Sequence, residues 1–332
     1  MIDIREHGFG AGKKATIISK LSPRFTKLFT LNSVGTGETY SASSLKIDKV
    51  NRYIYIGTNQ GKAYKYDFDG NLLKTFLLYN NSTLVAVNES NGDVLFWSNG
   101  KLYAYTKSGD LKWGPVNANS GGNTVFSMEV ISGVVCYADS ASIYFNNATT
   151  GAYIKSMYMG YALYDMAKNG AVWLWAGSSG GKVFKLYIPS VTEQTLNSNG
   201  SVGDPNGSST TADIRSVGIL EAPTKPFGNI VYFVDGTNTM WTKKANGFDN
   251  LMSVPWPRKN SNSSKLVAGA GEMVFANGLY FQIFKNLNIV YEYQMETTNQ
   301  ILDFRGDPDS GLYFYITSTG ELTGVKYEQK IS

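Results

Sequence analysis

The sequence predicts an all-β chain folded as a single seven-bladed β-propeller of four-stranded antiparallel blades, its ring closed by a strand from near the N-terminus. Three observations point there. The 332 residues include 35 Gly, 22 Tyr and 17 Phe with only 17% charged residues, a balance that favours strands and tight turns over helices. A hairpin turn recurs at a steady spacing of about forty residues, the period of a propeller blade. The last repeat also lacks a strand that the start of the chain can supply.

The first complete repeat, Ser44 to Phe76, sets the pattern. It reads Leu45-Lys46-Ile47, Tyr53-Ile54-Tyr55-Ile56, Lys62-Ala63-Tyr64-Lys65-Tyr66 and Leu72-Leu73-Lys74-Thr75-Phe76, separated by Gly/Asn/Asp turns. Four such runs make an antiparallel meander. A sheet of this kind cannot cover its own two faces and needs others like it on either side.

The turn between the third and fourth strands recurs as Asp69-Gly70, Ser108-Gly109, Thr150-Gly151, Pro189-Ser190, Asn246-Gly247, Asn286-Leu287 and Thr319-Gly320. Successive steps are 39, 42, 39, 57, 40 and 33 residues. The second strands (53–56, 94–97, 134–137, 172–175, 230–234, 273–276 and 312–316) are continuously apolar, as expected of strands covered on both faces. The third strands alternate, as in Lys101-Leu102-Tyr103-Ala104-Tyr105, and are expected nearer solvent.

The final repeat ends after Leu322 to Tyr327 with no fourth strand, whereas Phe25 to Leu31 forms a strand with no repeat of its own. Placing Phe25–Leu31 beside Leu322–Tyr327 closes the ring and removes a free edge. The predicted organisation is therefore an arm over 1–22 and a propeller over 23–332.

The arm is basic. From Met1 to Lys27 there are six bases against two acids, so the net charge of +4 resides there and the rest of the chain balances. A nucleic-acid groove across the body is not expected. Arg5, Phe9, Lys13 and Lys14 are the arm residues placed to anchor the chain to a larger assembly. Gly12-Lys13 has the flavour of a phosphate-binding loop, but Lys14 stands where Ser or Thr is required.

The step of 57 residues comes from a Gly/Ser/Asn-rich loop over 196–211 containing Asn199 and Asp204. With Trp256 and the Tyr158-Met159-Gly160-Tyr161 segment, this loop marks the fourth to sixth repeats as the expected contact region, since function on such scaffolds sits in loops.

Chemistry is sparse. The lone histidine, His7, falls in the arm, leaving the body without material for histidine-based catalysis or metal binding. The lone cysteine, Cys136, lies in the apolar run Val134-Val135-Cys136-Tyr137 and reads as a small buried hydrophobe. Asp67-Phe68-Asp69-Gly70-Asn71 looks like a fragment of a calcium loop but lacks its closing glutamate. Asp48, Asp165, Asp213 and Asp303 lie in or beside the innermost strands and are the candidate channel acids. They are the carboxylates from which a glycoside-cleaving pair would be drawn, and Tyr158, Tyr161, Tyr164, Trp173, Trp175 and Trp256 could stack on sugars. No cofactor is expected.

Two repeats, 55–73 and 99–113, resemble the repeat of the PQQ-like (quinoprotein-like) and WD40-like β-propellers, through Gly57-Thr58-Asn59-Gln60-Gly61-Lys62-Ala63-Tyr64 and Ser108-Gly109-Asp110-Leu111-Lys112-Trp113. The resemblance implies a propeller and says little of activity. Quinoprotein redox chemistry of the kind that uses an adjacent-cysteine disulfide is not implied, because one cysteine cannot form it.

The reading that results is a non-catalytic binding or assembly module whose partners are other proteins, most concretely a phage-particle component of the tail or baseplate. It would be cytoplasmic before assembly, because no apolar leader and no stretch of about eighteen apolar residues is present. A propeller that binds or cleaves cell-surface glycan and a cytoplasmic scaffold are the alternatives.

Overall fold

The computed structural model describes residues 25–40, 44–79, 82–118, 120, 124–189, 213–220, 230–235, 239–244, 250–255, 265–268, 273–277, 280–285, 288–294, 297, 299–307 and 309–328. Between 220 and 294, side chains are described only at Val234 and Phe281. Residues 1–22, and with them Arg5, Phe9, Lys13 and Lys14, lie outside the described residues, as do Asn199, Asp204 and Trp256.

Among the described residues the elements are strands, apart from one short 3-10 turn at Ser179–Gly181 and two helical residues at 188–189. β1 (Phe25–Leu31) stands alone at the start. Four hairpin-linked groups then follow: β2 (Leu45–Asp48), β3 (Tyr53–Gly57), β4 (Lys62–Asp67) and β5 (Leu72–Leu77); β6 (Thr83–Asn88), β7 (Asp93–Ser98), β8 (Lys101–Tyr105) and β9 (Leu111–Asn117); β10 (Ser127–Ile131), β11 (Val134–Ala138), β12 (Ser142–Asn147) and β13 (Tyr153–Tyr158); and β14 (Leu163–Asn169), β15 (Trp173–Ser178) and β16 (Val183–Tyr187). The chain continues with β17 (Ile214–Leu220), β18 (Ile230–Asp235), β19 (Thr239–Lys244) and β20 (Asn250–Pro255), then β21 (Lys265–Ala268), β22 (Met273–Asn277), β23 (Tyr280–Lys285) and β24 (Asn288–Gln294). It ends with β25 (Ile301–Asp307), β26 (Leu312–Thr317) and β27 (Leu322–Tyr327).

The expectation of seven four-stranded blades is corrected here. Five blades are described rather than seven, and four strands to a blade fits; the fourth strand expected after Pro189 in the sheet β14–β16 lies outside the described residues. The five are β1–β27–β26–β25, β2–β5, β6–β9, β10–β13 and β14–β16; β17–β20 and β21–β24 are described mainly as hydrogen-bonded ladders. Innermost strands lie side by side in chain order, and β25 comes round to lie against β2.

Closure is by the strand expected from the sequence. β1 pairs antiparallel with β27, from Phe25 opposite Tyr327 to Leu31 opposite Leu322, with a bulge at Leu28. Phe25 anchors it, 2% exposed and with its ring centroid 5.1 Å from that of Phe281 and 5.2 Å from that of Tyr327.

The second strands are apolar on both faces because each face meets a different neighbour. Along β3, Ile54 and Ile56 pack with Leu312, Phe314 and Ile316 of one adjoining blade, while Tyr55 packs with Val85 and Phe96 of the other. Along β11, Val135 and Tyr137 face Leu95 and Trp97, while Cys136 turns to Leu163 and Leu174. A period of two therefore sends alternate side chains into two separate cores. Burial pushes the Cys136 thiol up, so it stays protonated and inert.

The third strands depart from expectation. β4, β8 and β12 are buried along their centres, and it is the fourth strands, β5, β9 and β13, that face solvent. Polar residues survive burial in the third strands by covering rings: Lys65 Nζ sits 3.5 Å from the Tyr53 centroid and Lys185 Nζ 4.2 Å from that of Trp173. In the turns that follow, Gly70 and Gly109 adopt φ of +88° and +93°, beside register shifts at Lys65/Tyr66 and Ala104/Tyr105. This is the bulged hairpin that only glycine adopts without strain.

Candidate functional site at the propeller axis

The innermost strands carry charged residues to the axis: Lys46 on β2, Glu129 on β10, Arg215 on β17 and Arg305 on β25. Lys168 on β14 joins them. Because these strands ring the axis, side chains distant in sequence meet there. Lys46 Nζ pairs with Glu129 Oε1, although the blade that contains β6 lies between theirs. Lys168 Nζ reaches Glu89 Oε2 at 3.1 Å and Glu129 Oε2 at 3.8 Å. Arg305 donates from Nε to the Leu45 carbonyl at 3.1 Å and lies 3.4 Å from Asp303 Oδ1.

These pairs shift one another's protonation. Burial alone would raise the Glu129 carboxyl, but Lys46 and Lys168 hold it below the ordinary carboxylate range. Burial pulls the Lys46 ammonium down, and the attraction of Glu129 only partly offsets it. For Lys168 the balance is reversed: burial lowers it, and Glu129 with Glu89 more than compensate. The axis is thus a mutually neutralised network.

The four candidate acids do not assemble into a free catalytic pair. Asp303 is fully buried; its Oδ2 accepts from the Leu45 amide of the adjoining blade at 2.9 Å and its Oδ1 from the Phe304 amide at 2.9 Å. Asp165 makes the equivalent bond from β14 to β17, its Oδ2 accepting from the Val217 amide at 3.0 Å and the Ser216 hydroxyl at 3.2 Å. Both are the third residue of an innermost strand and both directly follow a register shift. The bulge turns the carboxylate sideways onto the next blade. Asp213 accepts from the Gly180 amide at 3.1 Å and pairs with Arg215 at 2.5 Å. Asp48 lies at the end of β2 and accepts from the Asn51 amide at 2.9 Å and Asn51 Nδ2 at 2.7 Å, shaping the turn.

Sequence reasoning named Asp48, Asp165, Asp213 and Asp303 and missed Arg215 and Arg305 beside them, together with Lys46, Lys168 and their shared partner Glu129. For Lys46 and Glu129 the signal that could have found them was a charge set between two apolar residues of a first strand, as in Leu45-Lys46-Ile47 and Met128-Glu129-Val130.

The aromatic residues expected to stack on sugars have separate duties. Tyr158 is 82% exposed at the end of β13. Tyr161 leans on Phe184 at 5.9 Å, while Tyr164 is held between Phe126 at 5.5 Å and the Arg215 guanidinium at 4.2 Å. Trp173 packs on Tyr187 at 4.8 Å, and Trp175 is buried. Asp67 spends its carboxylate on the Asp69 and Asn71 amides at 3.0 and 2.8 Å, in an Asx turn. Among the described residues no group of three or more His, Cys, Asp or Glu side chains is placed to hold a metal ion. Nor is any helix among them long and apolar enough to cross a membrane.

No family model matches the chain, and no curated protein does. Its structure is similar to that of Raptor from Chaetomium thermophilum, with a TM-score of 0.70 at 11% identity over 91% of this chain, which spans 29% of the Raptor chain. It is similar to the Pan2 WD40 domain of Neurospora crassa, with a TM-score of 0.69 at 12% identity over 94% of this chain and 98% of that one. BamB from Moraxella catarrhalis gives a TM-score of 0.58 at 11% identity, over 87% and 85% of the two chains. At such identities the likeness shows the fold alone, a β-propeller.

Proposed function

We propose that this chain is a non-catalytic interaction module that binds protein partners through its outer surface. The observation that carries this reading is the state of the axis. The acids that an enzyme would use there are spent on neighbouring amides and cations, so the axis holds blades together and leaves the rim and loops for recognition. A structural neighbour solved as BBS1N in complex with ARL6DN supports the reading by analogy of fold. The narrower form, a phage-particle component anchored by residues 1–22, rests on composition: a basic arm, a single cysteine and a sequence rich in Asn, Ser, Tyr and Gly.

The test compares the full chain with a form lacking residues 1–22 in native extracts. Chemical cross-linking coupled to mass spectrometry should join Lys13 or Lys14 to one defined protein partner. Deletion should abolish that link and leave the thermal unfolding curve in place. Turnover of a glycan by the purified chain, lost in Asp165→Asn with the fold retained, would contradict the reading.

A further inference from the structure

The outer strands of four consecutive blades form one acid-free surface. β1, β5, β9 and β13 are the end strands of their sheets on the side away from the axis, and together they carry Lys27, Lys74, Lys112 and Lys155 with no aspartate or glutamate. Seven of the ten large apolar side chains that stand exposed among the described residues lie on these same strands, including Leu28, Leu72, Leu77, Leu111, Tyr153 and Tyr158. Exposed apolar side chains gathered on one surface, rather than scattered singly, mark a place where something binds.

The four strands are joined into a continuous rim. Phe29 of β1 lies against Gly70 ahead of β5, Lys74 of β5 against Gly109 ahead of β9, and Trp113 of β9 against Gly151 ahead of β13. The charge on this rim is only partly used. Lys112 is tied to Asp93 of its own sheet at 2.6 Å, whereas Lys74 and Lys155 have no carboxylate within ion-pair distance among the described residues. Exposed acids close by in the chain, Asp69 and Asp110, stand in the turns at one end of the strands, where Asp110 accepts from the Ser108 hydroxyl at 2.8 Å.

A ligand that matches the rim brings carboxylates to the lysines and apolar side chains to the leucines and tyrosines. A phosphate polymer would leave the apolar side chains wet. A flat bilayer would meet one or two blades, because sheets set around an axis turn their outer edges in successive directions. We propose that the rim formed by β1, β5, β9 and β13 binds an acidic, leucine-bearing or aromatic-bearing segment of a partner protein that runs from blade to blade. This rests on the protein-binding reading above and assigns the surface and the partner's chemistry.

The probe is a fluorescent peptide of about twenty residues alternating glutamate and leucine, long enough when extended, at roughly 3.3 Å per residue, to cross several blades. Fluorescence anisotropy with the full chain should show it binding more tightly than peptides alternating glutamate with serine or lysine with leucine. Lys74→Gln with Lys155→Gln should weaken binding roughly two- to thirtyfold, the loss of two exposed charge pairs. Leu72→Ser with Leu111→Ser should weaken it as well, and thermal unfolding checks that each variant is folded. No binding, equal binding of the glutamate–leucine and lysine–leucine peptides, or binding unmoved by either pair of substitutions would overturn the proposal. So would tighter binding of phosphatidylglycerol vesicles or single-stranded DNA that the lysine substitutions abolish. Residues 1–22 are untouched in every variant, so loss of the Lys13 or Lys14 cross-link would sink the arm and leave the rim, and the results just named would sink the rim and leave the arm.

Discussion

Glu129→Ala is expected to destabilise the fold by about 3–5 kcal/mol, the scale for removing one member of a buried ion pair. Lys46 and Lys168 both direct their ammonium groups at this carboxylate, and Lys46 is almost wholly enclosed. Without Glu129, Lys46 has no carboxylate within ion-pair distance among the described residues, while Lys168 retains Glu89. Urea unfolding at neutral pH reads the loss directly as a lower midpoint. The pH dependence gives a second check. The Glu129 carboxyl is held below its ordinary value of 4.5, so the unfolded chain binds its proton more readily than the folded one. The stabilisation is fully present above about 4.5 and is lost as pH falls through the lower folded value. The gap between wild type and Glu129→Gln should therefore be constant from neutral pH down to about 4.5 and narrow below it. A gap that widens in acid would show that Glu129 is not the charged partner described.

Asp303→Ala is expected to cost about as much, again about 3–5 kcal/mol, by a different route. It leaves the buried Leu45 amide without the acceptor it now has at 2.9 Å and removes the carboxylate facing the enclosed Arg305 guanidinium. Since Asp303 is on β25 and Leu45 on β2, the bond ties the last blade to the first complete one. Asp303→Asn keeps an acceptor oxygen but discards the charge, so it should fall between wild type and alanine in a thermal unfolding series. Equal midpoints for all three would show that the carboxylate does not hold the junction.

The strands were legible in the sequence because their signal is local. Tyr53-Ile54-Tyr55-Ile56 is apolar at every position since its two faces meet two different blades, and Asp69-Gly70 marks a bulged turn since glycine reaches φ of +88° freely. The pairing of β1 with β27 was legible by elimination, one strand lacking a sheet and one sheet lacking a strand. The blade count was not, because a steady turn rhythm marks hairpins and does not say how many sheets pack as blades, five rather than the seven that the rhythm suggested. Nor was the burial of the third strands, since an alternating Lys reads as exposed until the ring beneath it is seen, as with Lys65 over Tyr53.

The axial network escaped for a related reason. Lys46 and Glu129 are 83 residues apart, and Leu45 and Asp303 are 258 apart. Nothing in either local run names its partner, because the relation is set by the position of each blade around the axis. The acids were visible as residue types; their use as bolts between blades required the bulges after Leu163 and Ile301.

Closure of the ring by the two ends of the chain is the claim on which the rest depends, and a cross-link measures it most directly. Thr30 and Thr323 stand opposite each other on β1 and β27, with hydroxyl oxygens 3.1 Å apart. The double variant Thr30→Cys, Thr323→Cys should oxidise to an intramolecular disulfide that changes gel mobility and raises the thermal midpoint, since the bond spans 293 residues of chain. Two thiols that stay free in the native protein, or that link only between separate chains, would contradict the closure.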